Sequence, residues 1–220
     1  MIKLIIFDFD GTLVDSSKDI VIATNELLSL HELDELTQEE ILPFISHGFS
    51  GFLSHQFGKK IIDPHFIETL RTDFTKIYKK HYLNNMKLMP GALEVLNKWK
   101  GLKAIVTNKS EAKTKAMISK LPLKDFDWVE IFGWDSFEFH KPHPLPLIKI
   151  LELANLEPHE ALMVGDGLPD IEAARQAGME SVAIDFGFTP MNELNKAQPD
   201  HVISNYTDLF SIIEKFNSLS

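Results

Sequence analysis

The amino-acid sequence predicts an α/β fold in which a parallel sheet carries a separate helical domain inserted after its first strand. Three observations support this prediction. Short, strongly apolar runs recur along the chain, amphipathic helical patterns lie between them, and residues 16–85 contain helical patterns but no convincing strand. With 220 residues, the chain is long enough for one domain with a smaller companion.

The predicted strands are apolar on both faces. Such strands suit a parallel sheet that is covered by helices on both sides. Helical patterns at 91–100, 144–154 and 169–177 separate several of them, so we expect a doubly wound, Rossmann-like sheet. The six predicted strands are 4–9, 103–107, 129–132, 161–165, 181–185 and 201–203.

Residues 16–85 interrupt this alternation of strands and helices. Ser16 and Asp19 have the spacing of a helix capping box, and an amphipathic pattern follows them. We therefore predict a helical cap domain over 16–85 and an α/β catalytic core formed by 1–15 and 86–220. The further helical patterns of the cap lie around 37–45, 48–57 and 64–82.

The composition narrows the functional classes. The net charge of −10 at pH 7 disfavours nucleic acids and anionic membranes as partners. The absence of cysteine excludes disulfides, thiolate metal sites and a cysteine nucleophile. The apolar stretch before Asp8 is too short for a signal peptide or a membrane span. We therefore expect a soluble cytoplasmic protein, and a monomer is compatible with the sequence.

Polar residues gather where the predicted strands end. In open parallel sheets, ligands bind at the carboxyl ends of the strands, so these residues are expected to share one pocket. They are Asp8 and Asp10 after the first strand, Thr107 and Asn108 after the second, Lys141 in the loop HKPHPLP, and Asp166 and Asp170 after the strand at 161–165.

These residue types indicate phosphoryl transfer. Four carboxylates in one pocket repel one another and raise one another's pKa values. A hard divalent cation relieves that repulsion, and Mg²⁺ prefers oxygen ligands. Thr107, Asn108 and Lys141 supply hydrogen-bond donors and positive charge for phosphoryl oxygens. The expected ligands are Mg²⁺ and a small phosphorylated metabolite.

The four polar segments resemble the ordered motifs of the haloacid dehalogenase superfamily. They read DFDGT at 8–12, TN at 107–108, KP at 141–142 and GDGLPD at 165–170, and together they span most of the predicted core. The insertion at 16–85 resembles the cap domain that follows the first motif in this family. The resemblance implies a Mg²⁺-dependent phosphatase that forms an aspartyl-phosphate.

The resemblance also implies a division of roles. Asp8 would attack phosphorus, and Asp10 would protonate the leaving oxygen and then activate the hydrolytic water. Mg²⁺ would be held by Asp8, the backbone carbonyl of Asp10 and Asp166, with Asp170 in support. The transferring phosphoryl group would be bound by Thr107, Asn108 and Lys141.

The substrate stays open at this point. GTLVDS, VTNK, KPHPLP and IEAARQAGM are most similar to the phosphoglycolate phosphatase group, while ISHG and DFGFTP also resemble N-acetylmuramic acid 6-phosphate phosphatases. A sugar-phosphate mutase would use the same two aspartates. A phospho-receiver signalling domain has a similar acidic cluster, but the position of Asp8 and the insertion at 16–85 count against it.

One segment of the predicted cap is a candidate for substrate selection. Ser46, His47 and Ser50 lie around two glycines between helical patterns, which predicts a bend. In capped members of the family, the segment at this position faces the active site. A simple turn between helices explains the same residues equally well.

Overall fold

The computed structural model describes residues 1–47, 52 and 64–218. Two short strands, the second and third along the chain, pair antiparallel with each other. The strands are β1 Leu4–Phe7, β2 Val14–Asp15, β3 Lys87–Leu88, β4 Leu102–Val106, β5 Ile131–Phe132, β6 Ala161–Gly165, β7 Glu180–Ile184 and β8 His201–Ile203. All except β2 and β3 form one parallel sheet in the order β5-β4-β1-β6-β7-β8, and these six confirm the six predicted strands.

Helices separate most of the sheet strands, as the α/β pattern predicts. The predicted helix at 48–57 lies outside the described residues except for Phe52. Within the described part of the chain, no helix is both long and apolar enough to cross a membrane. The helices are α1 Ser17–Leu30, α2 Gln38–Ile41, α3 Pro64–His81, α4 Ala92–Lys98, α5 Glu111–Ile118, α6 Leu145–Ala154, α7 Leu168–Ala177, α8 Met191–Ala197 and α9 Asp208–Ser218, with a 3-10 helix over Leu42–His47 after α2.

The central strand β1 is buried on both faces. Its alternate side chains Ile5 and Phe7 join an apolar cluster with residues of α4, α5 and α9. Leu4 and Ile6 join a second cluster with residues of α6 and α7. Helices therefore cover both faces of the sheet, which explains why its strands are apolar runs rather than alternating patterns.

The helices between β2 and β3 have an apolar cluster of their own. It contains Ile20 and Leu27 from α1, Ile41 from α2, and Leu70 and Ile77 from α3. The chain enters and leaves this helical segment through the β2–β3 ribbon. These features support a cap domain over residues 16–85, which stays a proposal.

The first turn of α1 differs from the prediction. The proposed capping box of Ser16 and Asp19 is wrong because both side chains bond elsewhere: Ser16 donates its hydroxyl hydrogen to Asp10, and Asp19 accepts from Asn85. Asp15 instead accepts a hydrogen bond from the backbone N–H of Ser17 at 3.1 Å. Ser16 is thereby linked to the polar end of the sheet.

Candidate active site

Three neighbouring strands bring predicted site residues together at one edge of the sheet. Phe7 at the end of β1 pairs with Ile105 of β4 and Val164 of β6. Asp8, Thr107 and Asp166 follow these three strands, and all three side chains are buried. Parallel strands end on the same side, so the fold places the three side chains next to one another.

The carboxylates of Asp8, Asp166 and Asp170 form a buried acidic cluster. One oxygen from each lies within 4.8 Å of the others. Lys141 reaches this cluster with its ammonium 3.0 Å from Asp8 Oδ1 and 2.5 Å from Asp170 Oδ1. Three carboxylates against one ammonium leave two negative charges when all four groups are ionised.

The electrostatics of the cluster fit a hard divalent cation. Burial, followed by repulsion from Asp170, raises the pKa of Asp8 to about 7. Burial and the charge of Asp8 raise the pKa of Asp166 well above its ordinary value. Burial alone would lower the pKa of Lys141, but Asp170 and Asp8 outweigh it and raise that pKa. The donor set is all oxygen, which suits Mg²⁺ and would let two positive charges offset the remaining two negative ones.

The backbone at Gly11 and at Gly187 lies very close to the side chain of Asp166. Its Oδ1 accepts from the hydroxyl of Thr12 at 2.9 Å, and its Oδ2 accepts from the backbone N–H of Phe188 at 2.8 Å. Gly11 has φ +81°, and a Cβ there would lie 2.3 Å from Asp166 Oδ2. A Cβ at Gly187 would lie 2.1 Å from the Cβ of Asp166. Both positions therefore require glycine.

Asp10 has a different environment from the acidic cluster. Its two carboxylate oxygens accept from Lys109 Nζ at 3.0 and 2.8 Å, and Oδ1 also accepts from Ser16. Lys109 in turn donates to the hydroxyl of Tyr78 at 2.7 Å. Lys109 and Tyr78 are absent from the sequence-based prediction of the site. Lys109 directly follows the TN motif and could have been suspected, whereas Tyr78 lies in an ordinary amphipathic helix pattern.

Thr107 and Asn108 contact the loops around the acidic cluster. Thr107 Oγ1 accepts from the backbone N–H of Lys109 at 3.2 Å, so its own hydroxyl hydrogen can be donated elsewhere. The side-chain amide of Asn108 donates to the backbone carbonyl of Lys141 at 3.0 Å. Asn108 thus ties the end of β4 to the loop that carries the buried lysine.

A cavity of about 330 Å³ lies between the carboxyl ends of the sheet strands and the helical segment between β2 and β3, and Asp8 and Asp10 line it. Arg71 of α3 and Lys113 of α5 bring positive charge to its lining. Its volume and partly apolar lining are typical of a small-molecule site. The apolar lining on the side of the helical segment includes Ile20, Ile41, Ile45, Phe52 and Phe74.

The structure does not describe the side chains of the three residues predicted to select the substrate, Ser46, His47 and Ser50. Ser50 lies outside the described residues, and so do the side chains of Ser46 and His47. Ile45 of the same segment does line the cavity, as does Phe52. The role of Ser46, His47 and Ser50 therefore stays a prediction.

Comparisons with known proteins place the chain among hydrolases. A family model described as haloacid dehalogenase-like hydrolase matches residues 5–184. A phosphoglycolate phosphatase from Aquifex aeolicus is 34% identical over 220 residues, covering 96% of this chain and 97% of that protein. One from Mesorhizobium japonicum is 34% identical over 215 residues, covering 94% and 92%. A solved structure from Haemophilus somnus, described as a predicted phosphoglycolate phosphatase, superposes with a TM-score of 0.85 at 25% identity, covering 96% and 98%.

Proposed function

The chain belongs to the haloacid dehalogenase-like hydrolases and is a phosphoric monoester hydrolase. We propose that it hydrolyses a small phosphomonoester similar to 2-phosphoglycolate, and that the reaction passes through an aspartyl-phosphate on Asp8. The observation that carries the proposal is the buried cluster of Asp8, Asp166 and Asp170 with Lys141, of which Asp8 lines the cavity. The relatives from Aquifex aeolicus and Mesorhizobium japonicum are phosphoglycolate phosphatases, which supports the choice of substrate.

Two aspartates carry the proposed chemistry. A carboxylate oxygen of Asp8 forms a bond to phosphorus while the bond from phosphorus to the leaving oxygen breaks. Asp10 gives its proton to that leaving oxygen. Asp10 then takes a proton from a water molecule, whose oxygen attacks phosphorus and releases inorganic phosphate and the carboxylate of Asp8. Both side chains line the same cavity, which supports this pairing of roles.

The groups around Asp8 are proposed to hold the phosphoryl group. The hydroxyl of Thr107 can donate to a phosphoryl oxygen, and Lys141 brings positive charge next to the attacking carboxylate. Mg²⁺, bound by Asp8, Asp166 and the backbone carbonyl of Asp10 with Asp170 nearby, would supply the charge that offsets the carboxylates and the phosphoryl oxygens. Asn108 contributes by fixing the loop of Lys141.

A phosphate-release assay tests the proposed function. The unaltered protein is expected to release phosphate from 2-phosphoglycolate with Mg²⁺, with a higher kcat/KM than from N-acetylmuramic acid 6-phosphate, hexose phosphates or pyrophosphate. Removal of divalent cations with EDTA should lower the rate at least about 100-fold, and added Mg²⁺ should restore it. No release from 2-phosphoglycolate with Mg²⁺ would contradict the proposal, and relocation of the phosphate within a sugar would indicate a mutase.

Lys113 supports a substrate with a second negative charge. Within the described part of the chain, no side chain forms a hydrogen bond or an ion pair with its ammonium group. Burial and then the nearby charge of Lys109 lower the pKa of Lys113, against a weaker opposing effect of Asp135. An anionic group on the leaving portion of the substrate could therefore pair with the ammonium of Lys113, whose charge the protein's own groups balance only in part.

Replacement of Lys113 by methionine tests this point. We expect kcat/KM for 2-phosphoglycolate to fall about 10- to 100-fold relative to kcat/KM for a phosphate ester with an uncharged leaving group, mainly through KM. Lys113→Arg should restore much of the discrimination because it keeps the charge. Lys115→Met is the matched control, since Lys115 lies on the same helix and pairs with Glu111 at 2.8 Å. An unchanged ratio between the two substrates would remove Lys113 from the substrate site.

A further inference from the structure

The ammonium of Lys109 bonds to two side chains of the protein, Asp10 and Tyr78. Its nitrogen lies 3.0 Å from Asp10 Oδ1, 2.8 Å from Asp10 Oδ2 and 2.7 Å from the hydroxyl oxygen of Tyr78, and it donates to both residues. The side chain of Lys109 is 7% exposed. Both of these partners belong to the protein, and through them Lys109 links Tyr78 to the carboxylate of Asp10.

Tyr78 comes from the helical segment rather than from the sheet. It lies near the end of α3 and is 5% exposed. Its ring stacks on Phe74 with centroids 5.4 Å apart and an interplanar angle of 10°. Burial raises the pKa of Tyr78 to about 12, so the phenol stays neutral and its oxygen can accept from Lys109. Packing within α3 therefore determines where this hydroxyl lies.

We infer that Tyr78 and Lys109 are positioning residues for Asp10: the hydroxyl of Tyr78 holds Lys109 against both carboxylate oxygens of Asp10 and so fixes their orientation toward the leaving group. The inference rests on the proposed function, in which Asp10 gives a proton to the leaving oxygen. Proton transfer needs a donor held within hydrogen-bond distance and in line with the acceptor.

These contacts also link the helical segment to Asp10, the proposed proton donor. Ser16, just before α1, donates directly to Asp10 Oδ1, and Tyr78 of α3 acts on Asp10 through Lys109. If the helices were displaced from the sheet, Lys109 would lose Tyr78 and its ammonium could turn away from Asp10. The orientation of Asp10 is therefore set when the helical segment lies over the cavity.

Replacement of Tyr78 by phenylalanine tests the inference because it removes the hydroxyl and keeps the stacked ring. Departure of the alkoxide from 2-phosphoglycolate requires a proton, whereas p-nitrophenolate is a far weaker base and leaves without one. We expect Tyr78→Phe to lower kcat/KM about 10-fold for 2-phosphoglycolate and less than about 2-fold for p-nitrophenyl phosphate. The value of kcat/KM reports the steps up to leaving-group departure, so slow hydrolysis of the aspartyl-phosphate does not hide the effect.

Two further variants separate this role from a general loss of packing. Tyr82→Phe, one turn further along the chain, is the matched control and should leave both kcat/KM values within about 2-fold of the unaltered protein. In Lys109→Met, which should itself show the selective loss, adding Tyr78→Phe should lower kcat/KM less than about 2-fold further, because Tyr78 acts through Lys109.

Equal losses for the two substrates, or additive losses in the double variant, would overturn the inference while leaving the proposed function in place. Absence of phosphate release by the unaltered protein from both substrates would overturn the proposed function, and the inference with it.

Discussion

Replacement of Asp8 by asparagine is expected to lower kcat for phosphate release by at least about 10⁴-fold, because the amide cannot attack phosphorus and no aspartyl-phosphate can form. The measurement is Mg²⁺-dependent phosphate release from 2-phosphoglycolate. A second measurement is trapping of labelled phosphate on the protein, which should succeed for the unaltered chain and fail for the variant. Substantial remaining turnover would show that another group attacks phosphorus.

The stability of this variant distinguishes lost chemistry from lost structure. Burial and repulsion from Asp170 raise the pKa of Asp8 from 3.8 to about 7. Protonation of Asp8 therefore stabilises the folded state, and this contribution is complete below pH 3.8 and is lost as the pH rises through about 7. Asparagine carries no charge to bury. At pH 8 without divalent cations, Asp8→Asn should therefore melt no lower than the unaltered protein. Asp34→Asn, at an exposed position, is the control and should retain full activity.

Replacement of Asp166 by asparagine is expected to abolish the stabilisation by Mg²⁺. For the unaltered protein, Mg²⁺ at about 100 times its Kd should raise Tm by roughly 5–10 °C, given the size of the chain. The variant should show a shift below about 1 °C and a fall in kcat of at least about 100-fold. Thermal melts with and without Mg²⁺ measure the first effect, and phosphate release the second.

The asparagine at position 166 keeps the local hydrogen bonds. Its carbonyl oxygen can accept from the backbone N–H of Phe188, and its NH₂ group can donate to Thr12 Oγ1 after the hydroxyl rotates. NaCl at matched ionic strength controls for simple screening of the acidic surface. A Mg²⁺ response equal to that of the unaltered protein would show that Asp166 does not hold the ion.

Most of the sheet was predictable because its strands are buried on both faces. A run such as LIIF at 4–7 is apolar throughout, and each run of this kind is bounded by helix or turn residues. The strands Val14–Asp15 and Lys87–Leu88 were missed because two residues are too few to show a period. The capping box was wrong because Ser16 and Asp19 have the spacing of a cap but find tertiary partners, Asp10 and Asn85.

The candidate site was predictable where the residues follow strands in the sequence. The order of the strands then brings Asp8, Thr107 and Asp166 together, which the pattern of a parallel sheet anticipates. Tyr78 could not be found this way because its contact with Lys109 joins the helical segment to the core across 31 positions of sequence. A tyrosine in an amphipathic helix predicts burial and says nothing of which polar group its hydroxyl meets.

The β2–β3 ribbon has a consequence for how such an enzyme can diversify. Asp15 and Lys87 are direct partners in it, so the chain enters and leaves the helical segment between them at adjacent points. Whatever lies between these residues adds little to the entropy of closing the core, and a segment of another length or shape could be exchanged there. The carboxylates proposed to react and the apolar cavity lining that the helical segment contributes could therefore be inherited separately, provided that each new segment supplies a partner for Lys109 as Tyr78 is proposed to do.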